Sequence, residues 1–208
     1  METNSRLILA SGSPRRRQLL SMLYPDLMVM PSSVEEPDYE EGTPAAYAEG
    51  LAQLKAADVA RKHPNALVIG ADTIVVLDNQ ILGKPQNAGH ACEMLRSLSG
   101  NTHTVISAVC LIRTGSELAE GRFQGMRLFS EATEVTFGAL SDAEIQRYVA
   151  GGSPMDKAGA YGIQDDLGAL FVAHISGDYY TVVGFPMRRF YTEIARFAPA
   201  HIPETLRP

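Results

Sequence analysis

From Ala66 to Val76 the chain reads Ala-Leu-Val-Ile-Gly-Ala-Asp-Thr-Ile-Val-Val, a β-prone apolar stretch that carries a single carboxylate, Asp72. An apolar, β-branched run of this kind belongs in a sheet covered on both faces. Burying a carboxylate there costs several kcal/mol unless something compensates the charge. A divalent metal, or a water being deprotonated, would provide that compensation, and the alternative is an Asp that closes a turn on its own backbone. We read Ala66 to Ile69 and Thr73 to Leu77 as two strands, with Asp72 at the break between them.

The segments around this run alternate strand and helix. Leu7 to Ala10 reads as a short buried strand, followed by Ser11-Gly12-Ser13 and a helix from Pro14 to about Leu23, with Ser13 as N-cap and Pro14 in its first turn. Thr43-Pro44 repeats that grammar before a helix to about Arg61, and Asn87 caps a third over Ala88 to Leu98, closed by Ser99-Gly100. Asp78-Asn79 reads as a turn leading to Ile81-Leu82. His103 to Arg113 and Leu128 to Phe137 form a long strand pair joined around Gly115 to Gly125, and Ser141-x-x-Glu144 opens a helix ending at Gly151-Gly152. A strand over Leu170 to Ile175 and a helix after Pro186 complete the order. The expected fold class is α/β, a twisted mixed sheet flanked by helices, with two lobes around a central cleft.

At 208 residues the chain fits one domain over 1–208. No apolar run reaches the roughly 18 residues a membrane helix needs, so no membrane partner is expected. Met1 to Arg6 shows no secretory pattern, so a cytoplasmic location is expected. A net charge of −6 argues against a nucleic-acid partner. Cys92 and Cys110 have neither disulfide-framework nor zinc spacing and read as buried small hydrophobes.

Positive charge is nevertheless concentrated at Ser11-Gly12-Ser13-Pro14-Arg15-Arg16-Arg17, where three guanidinium groups sit on the first turn of a helix. Each exposed cation at that end is disfavoured by about 0.3–1 kcal/mol unless an anion is near. Small residues, free backbone N–H groups and planar Arg forks after a strand describe a phosphate site, with Arg17 the best candidate for a merely solvated position. Lys84, between Gly83 and Pro85, is held where a lysine reaches a phosphate as a point charge. Glu35 and Glu36 begin an acidic stretch that reads equally well as a solvated loop. Position alone does not separate Lys55 from a surface lysine. The Gly-punctuated segment Met155 to Gln164 can shape a pocket, and the amide of Gln164 matches a base edge presenting both a carbonyl and an N–H, although by itself it reads first as an exposed polar loop residue.

Taken together these segments resemble the Maf family of nucleotide pyrophosphatases over about Leu7 to Pro186. Five motifs carry the resemblance: Ala10-Ser11-Gly12-Ser13-Pro14-Arg15-Arg16, Gly70-Ala71-Asp72-Thr73, Gly83-Lys84-Pro85, Leu98-Ser99-Gly100-x-x-His103, and Asp156-Lys157-Ala158-Gly159-Ala160-Tyr161-Gly162-Ile163-Gln164. The resemblance implies a Maf/inosine-triphosphatase-like fold with a catalytic core over about 7–190, a homodimer, and hydrolysis of a nucleoside triphosphate to monophosphate and pyrophosphate for house-cleaning of nucleotide pools. It implies Asp72 as general base, with Ser11, Arg15, Arg16, Lys55 and Lys84 on the triphosphate. Glu36 and Asp72 would organise a divalent cation, Mg2+ or Mn2+. Arg15, Thr73 and Gln164 match positions that set substrate choice, and the motif forms are similar to the dTTP/UTP subgroup.

Three departures from the family pattern stand out. Gly50 stands where Arg is frequent, Tyr24 replaces a Gly after the first helix, and Asp165-Asp166 follow Gln164 where Gly is usual, adding negative charge beside the expected base pocket. Two rival readings stay open: a different, modified or purine nucleotide, and a regulatory protein that senses a triphosphate without hydrolysing it.

Overall fold

The computed structural model describes residues 5–116, 123–165, 167–203 and 206. Its strands are β1 (Arg6–Leu9), β2 (Met28–Val29), β3 (Ala66–Leu77), β4 (Gln80–Leu82), β5 (Thr102–Arg113), β6 (Gly125–Phe137) and β7 (Val172–Ser176). Its α-helices are α1 (Pro14–Ser21), α2 (Pro44–Ala60), α3 (Ala88–Leu98), α4 (Asp142–Ala150), α5 (Gly168–Phe171), α6 (Tyr179–Val183) and α7 (Met187–Phe197). The strands form a mixed sheet in the order β2-β1-β3-β5-β6-β7, with β4 paired to β3. The fold is α/β as expected. Among the described residues no helix is long and apolar enough to cross a membrane.

The chain divides into two compact units. The first comprises 1–72, 108–130 and 184–208, and the second 73–107 and 131–183. In the first unit β1 lies parallel to both β2 and β3, with Ile8 opposite Met28 and Leu9 opposite Ile69. Capping residues start its helices as the sequence requires. The Ser13 hydroxyl accepts from the Arg16 N–H and Thr43 from the Ala46 N–H, each followed by Pro in the first turn.

Helix α2 turns a narrow alanine face, Ala48, Ala52, Ala56 and Ala60, inward. That face is needed because β3 comes very close at Gly70, where a Cβ would lie 2.2 Å from the Ala52 carbonyl oxygen and 2.7 Å from the Ala56 nitrogen. Helix α7 closes this core with Phe190 and Ile194, both fully buried. It also carries Glu193, 1% exposed, which accepts from Arg127 of β6 at 2.6 Å and pairs with Arg189 at 2.9 Å. Tyr24 serves here as a packing residue. Its N–H bonds the Leu20 carbonyl beyond α1, and its ring meets Phe190 edge-on at 6.3 Å. The first helix thus ends against an aromatic contact in place of a glycine cap.

In the second unit Asp78 and Asn79 take positive φ of 48° and 63°, the pair of left-handed residues a tight hairpin needs, and set Leu77 opposite Gln80. β6 pairs antiparallel with β7. Helices α3 and α4 bury Met94, Leu95, Leu98, Ile145 and Val149 on a core completed by Phe137, Tyr161 and Phe171, with Cys92 packed at its margin. α4 opens with the expected capping box. Burial pushes the Cys110 thiol, in the first unit, up to about 12, so both cysteines act as packing groups.

Two expectations need correction. β3 runs unbroken through Asp72, because the carboxylate is compensated by a helix residue and the strand has no reason to stop. Leu170 belongs to α5, and the strand begins only at Val172. Of the long connection between β5 and β6, residues 117–122 lie outside the described residues, as does Asp166.

Two results are expected in denaturant titrations. Gly70→Ala lowers stability by about 1–3 kcal/mol, since the added methyl meets backbone. Gly50→Ala, at an exposed position of α2 with open space around its Cβ, raises it by roughly 0.5–1 kcal/mol. Equal effects at the two sites would contradict the close approach. A pH series tests α7. The Arg127 hydrogen bond holds Glu193 below the usual carboxylate range against the opposing effect of burial. That contribution is complete above the ordinary carboxylate pKa and is lost as pH falls through the lowered one. Glu193→Gln should therefore flatten the acid limb of the stability curve, and an unchanged limb would contradict this.

Candidate active site

Side chains two residues apart in a strand share a face. Gly70 faces α2, so Asp72 faces it too, one step further along β3. There it meets Lys55, which follows Ala52 by three residues on α2. The Lys55 Nζ lies 2.6 Å from Asp72 Oδ1 and 2.7 Å from Glu36 Oε1. Lys55 and Asp72 are largely buried, with side chains 14% and 11% exposed, while Glu36 is 48% exposed. One ammonium thus joins two carboxylates. Lys55 is no ordinary surface lysine, and Glu36 is more than part of a solvated loop.

The Glu36 loop is fixed to α2 on both sides. Asp58 accepts from the Ser32 hydroxyl at 3.0 Å and the Ser33 N–H at 3.1 Å, and the Tyr47 hydroxyl donates to the Pro37 carbonyl at 2.8 Å. Tyr39 adds an edge contact to the Tyr47 ring at 5.3 Å. These partners escaped the sequence reading, although Tyr47, Lys55, Asp58 and Lys62 form a polar stripe at helical spacing that could have revealed them.

The arginine cluster separates by burial. Arg16 is buried, Arg15 half-buried and Arg17 exposed. Arg16 Nη1 donates to the Ser11 hydroxyl at 3.1 Å and to the Ala71 carbonyl at 2.9 Å, and Nε donates to the Gly184 carbonyl at 3.0 Å. Burial pushes its pKa down from the ordinary value, while Asp72 and Glu36 oppose that shift and Arg15 adds to it. Arg16 is therefore both a source of positive potential and a brace. It ties the loop after β1 to the residue preceding Asp72. Ser11, Arg16, Glu36, Lys55 and Asp72 come together in the first unit, and Arg15 lies on the same turn as Arg16.

Thr73, Lys84 and Gln164 belong to the second unit. The Thr73 hydroxyl bonds Ser107 at 2.8 Å, and Ser107 donates to the Thr181 carbonyl at 2.8 Å. Lys84 and Gln164 are both exposed. The Gly159 N–H donates to the Gly83 carbonyl at 3.1 Å, so the segment leading to Gln164 is tied to the one bearing Lys84. Asp165 does not present a bare charge. It lies 3.2 Å from Lys157 Nζ and accepts from Tyr148 at 2.8 Å and Ser153 at 2.5 Å.

A divalent cation fits the carboxylate pair. Glu36 and Asp72 already converge on one positive group, the Lys55 ammonium. Among the described residues no third His, Cys, Asp or Glu joins them. Mg2+ commonly uses only one or two protein carboxylates, the remaining positions going to water and phosphate oxygens.

The family model described as Maf-like protein matches residues 6–197. A Bacillus mycoides (strain KBAB4) protein named dTTP/UTP pyrophosphatase is 46% identical over 92% of this chain and 95% of its own. A Bacillus cytotoxicus protein of the same name is also 46% identical, with the same coverage. A third of that name, from Bacillus cereus (strain ATCC 10987 / NRS 248), is 43% identical over 94% of this chain and 92% of its own. Among solved structures, the Staphylococcus aureus Ham1 protein aligns over 64% of this chain and 71% of that one, at a TM-score of 0.41 and 16% identity. A match running through nearly all of the described core, and through every residue of the charged group around Asp72, shows that the chain belongs to the Maf-like protein family.

Proposed function

We propose that this protein is a nucleoside triphosphate pyrophosphatase that hydrolyses dTTP and UTP to the monophosphate and pyrophosphate. The observation that carries the reading is Asp72 itself, a largely buried carboxylate charge-compensated by Lys55 within a group that also holds Glu36 and Arg16. The names of the relatives at 46% identity supply the nucleotides.

In this mechanism Asp72 takes a proton from a water molecule as the water oxygen bonds to the α-phosphorus. The bond from that phosphorus to the bridging oxygen breaks, and the β,γ-pyrophosphate leaves in line. Arg15, Arg16, Lys55 and Lys84, with the Ser11 hydroxyl, spread the phosphate charge, which is most of what phosphoryl transfer asks of a protein. The buried Arg16 brace keeps the loop after β1 fixed against the Asp72 segment, so these donors need little rearrangement. Glu36 and Asp72 would hold the Mg2+ or Mn2+, which when bound neutralises phosphate oxygens. Gln164 pairs with the carbonyl and N–H edge shared by uracil and thymine. Thr73, its hydroxyl held by Ser107, also sets substrate choice. The family resemblance supports extending the reading to a homodimer in the cytoplasm that clears unwanted nucleotides.

Asp72→Asn should keep nucleotide binding and lose turnover by a factor on the order of 10² to 10⁴. Pyrophosphate release with Mg2+ or Mn2+ measures this, and wild-type turnover in the variant would remove Asp72 from the chemistry. A panel of UTP, dTTP, CTP and GTP tests the base reading. A site that hydrogen-bonds a substrate edge discriminates by up to roughly 10⁴. Equal kcat/KM across the panel would end the pyrimidine assignment, and binding without product would favour a sensor.

A further inference from the structure

The second unit holds an ionic cluster around one buried ammonium, that of Lys157, for which the proposed reaction has no use. Lys157 is only 8% exposed. Its ammonium bonds the Ser153 carbonyl, Asp156 at 2.7 Å and the Ser153 hydroxyl at 3.2 Å, and it faces Asp165 at 3.2 Å. One oxygen of Asp165 also accepts from the Tyr148 hydroxyl at 2.8 Å and the Ser153 hydroxyl at 2.5 Å. The Tyr148 oxygen in turn accepts the Gly162 N–H at 3.1 Å. Burial, reinforced by the Asp165 hydrogen bond, raises the Tyr148 pKa, so this hydroxyl keeps its proton and remains a donor.

The cluster encloses a short backbone turn. The Asp165 N–H donates to the Gly162 carbonyl at 3.1 Å, and the Ala169 N–H donates to the Asp165 carbonyl at 2.9 Å. The Asp165–Lys157 pair packs directly on Gly162, where a Cβ would lie 2.7 Å from Asp165 Oδ2 and 2.8 Å from Lys157 Cε and would push both side chains aside. Within the turn, Ile163 points inward at 9% exposed, and the next side chain, Gln164, is exposed. Gln164 therefore stands between two anchored neighbours, with Asp165 adjacent to it in the chain.

We infer that Asp165 is a specificity-determining positioning residue: paired with Lys157 and bonded to Tyr148 and Ser153, it locks the turn that presents Gln164. The inference rests on the reading of Gln164 as the group that meets the base. An amide side chain can offer its donor and acceptor in either order, so base choice depends on how firmly its backbone is held. The cluster supplies that hold at a position where the sequence alone showed only added negative charge beside the expected base pocket. Removing the Asp165 carboxylate leaves the buried Lys157 ammonium with Asp156, whose side chain is 59% exposed, as its ion partner, which makes the lock sensitive to that change.

The test compares wild type with Asp165→Ala, Asp165→Asn and Tyr148→Phe, using UTP and CTP kinetics and hydrogen–deuterium exchange over residues 157–165. Asp165→Ala should raise the UTP KM about tenfold, with kcat within about threefold, and should narrow the preference for UTP over CTP. Asp165→Asn keeps an acceptor for Tyr148 and Ser153 and should recover part of that loss. Tyr148→Phe, the mildest change, should speed exchange at Gly162. An unchanged KM and preference in a wild-type background that does favour UTP would overturn the lock while leaving the base reading intact. So would an equal loss on both nucleotides carried by kcat. A wild type with no preference would overturn the base reading, and exchange alone then decides. Faster exchange in Asp165→Ala supports the lock, and unchanged exchange removes it.

Discussion

One ammonium group, that of Lys55, allows a carboxylate to sit in the middle of a buried strand. Without it, Asp72 would face the cost that normally keeps charges out of sheet interiors, and β3 would have to bend away or end. With it, the strand continues through Asp72. The same nitrogen reaches Glu36, so compensation inside the fold and the gathering of two carboxylates at one place are a single arrangement. Its geometry depends in turn on Gly70 and the alanine face of α2, which let helix and strand come close enough for a lysine side chain to reach across.

The positive side of the site is built on similar terms. A cation on the first turn of a helix is unfavourable by itself, and the structure answers this differently at each arginine. Arg16 turns inward onto the Ser11 hydroxyl and the carbonyls of Ala71 and Gly184. Arg17 remains exposed. A buried guanidinium held by backbone carbonyls is expensive to desolvate, and its retention is understandable where an anion is to be received nearby.

Much of the fold was legible because its signals are local. Ser13-Pro14, Thr43-Pro44, Asn87 and the Ser141-Glu144 box each start a helix where expected, since a cap needs only neighbouring residues. The Asp78-Asn79 turn is local in the same way. The misses involve partners distant in sequence. β3 was divided at Asp72 because the compensating lysine lies 17 positions earlier. Lys55 itself was indistinguishable from a surface residue until α2 docked on β3. Asp165 read only as added negative charge beside the base pocket because the residues that bond it, Tyr148, Ser153 and Lys157, converge only when the loop folds back. Tyr24 departed from the family pattern for a reason visible only once Phe190 of α7 was in place.

The central claim is that this charge-compensated aspartate directs water to the α-phosphorus, and isotope placement tests it most directly. UTP turned over by the wild-type protein in water enriched in oxygen-18 should yield labelled UMP and unlabelled pyrophosphate. Label in the pyrophosphate, which would put the attack on the β-phosphorus, would contradict the account.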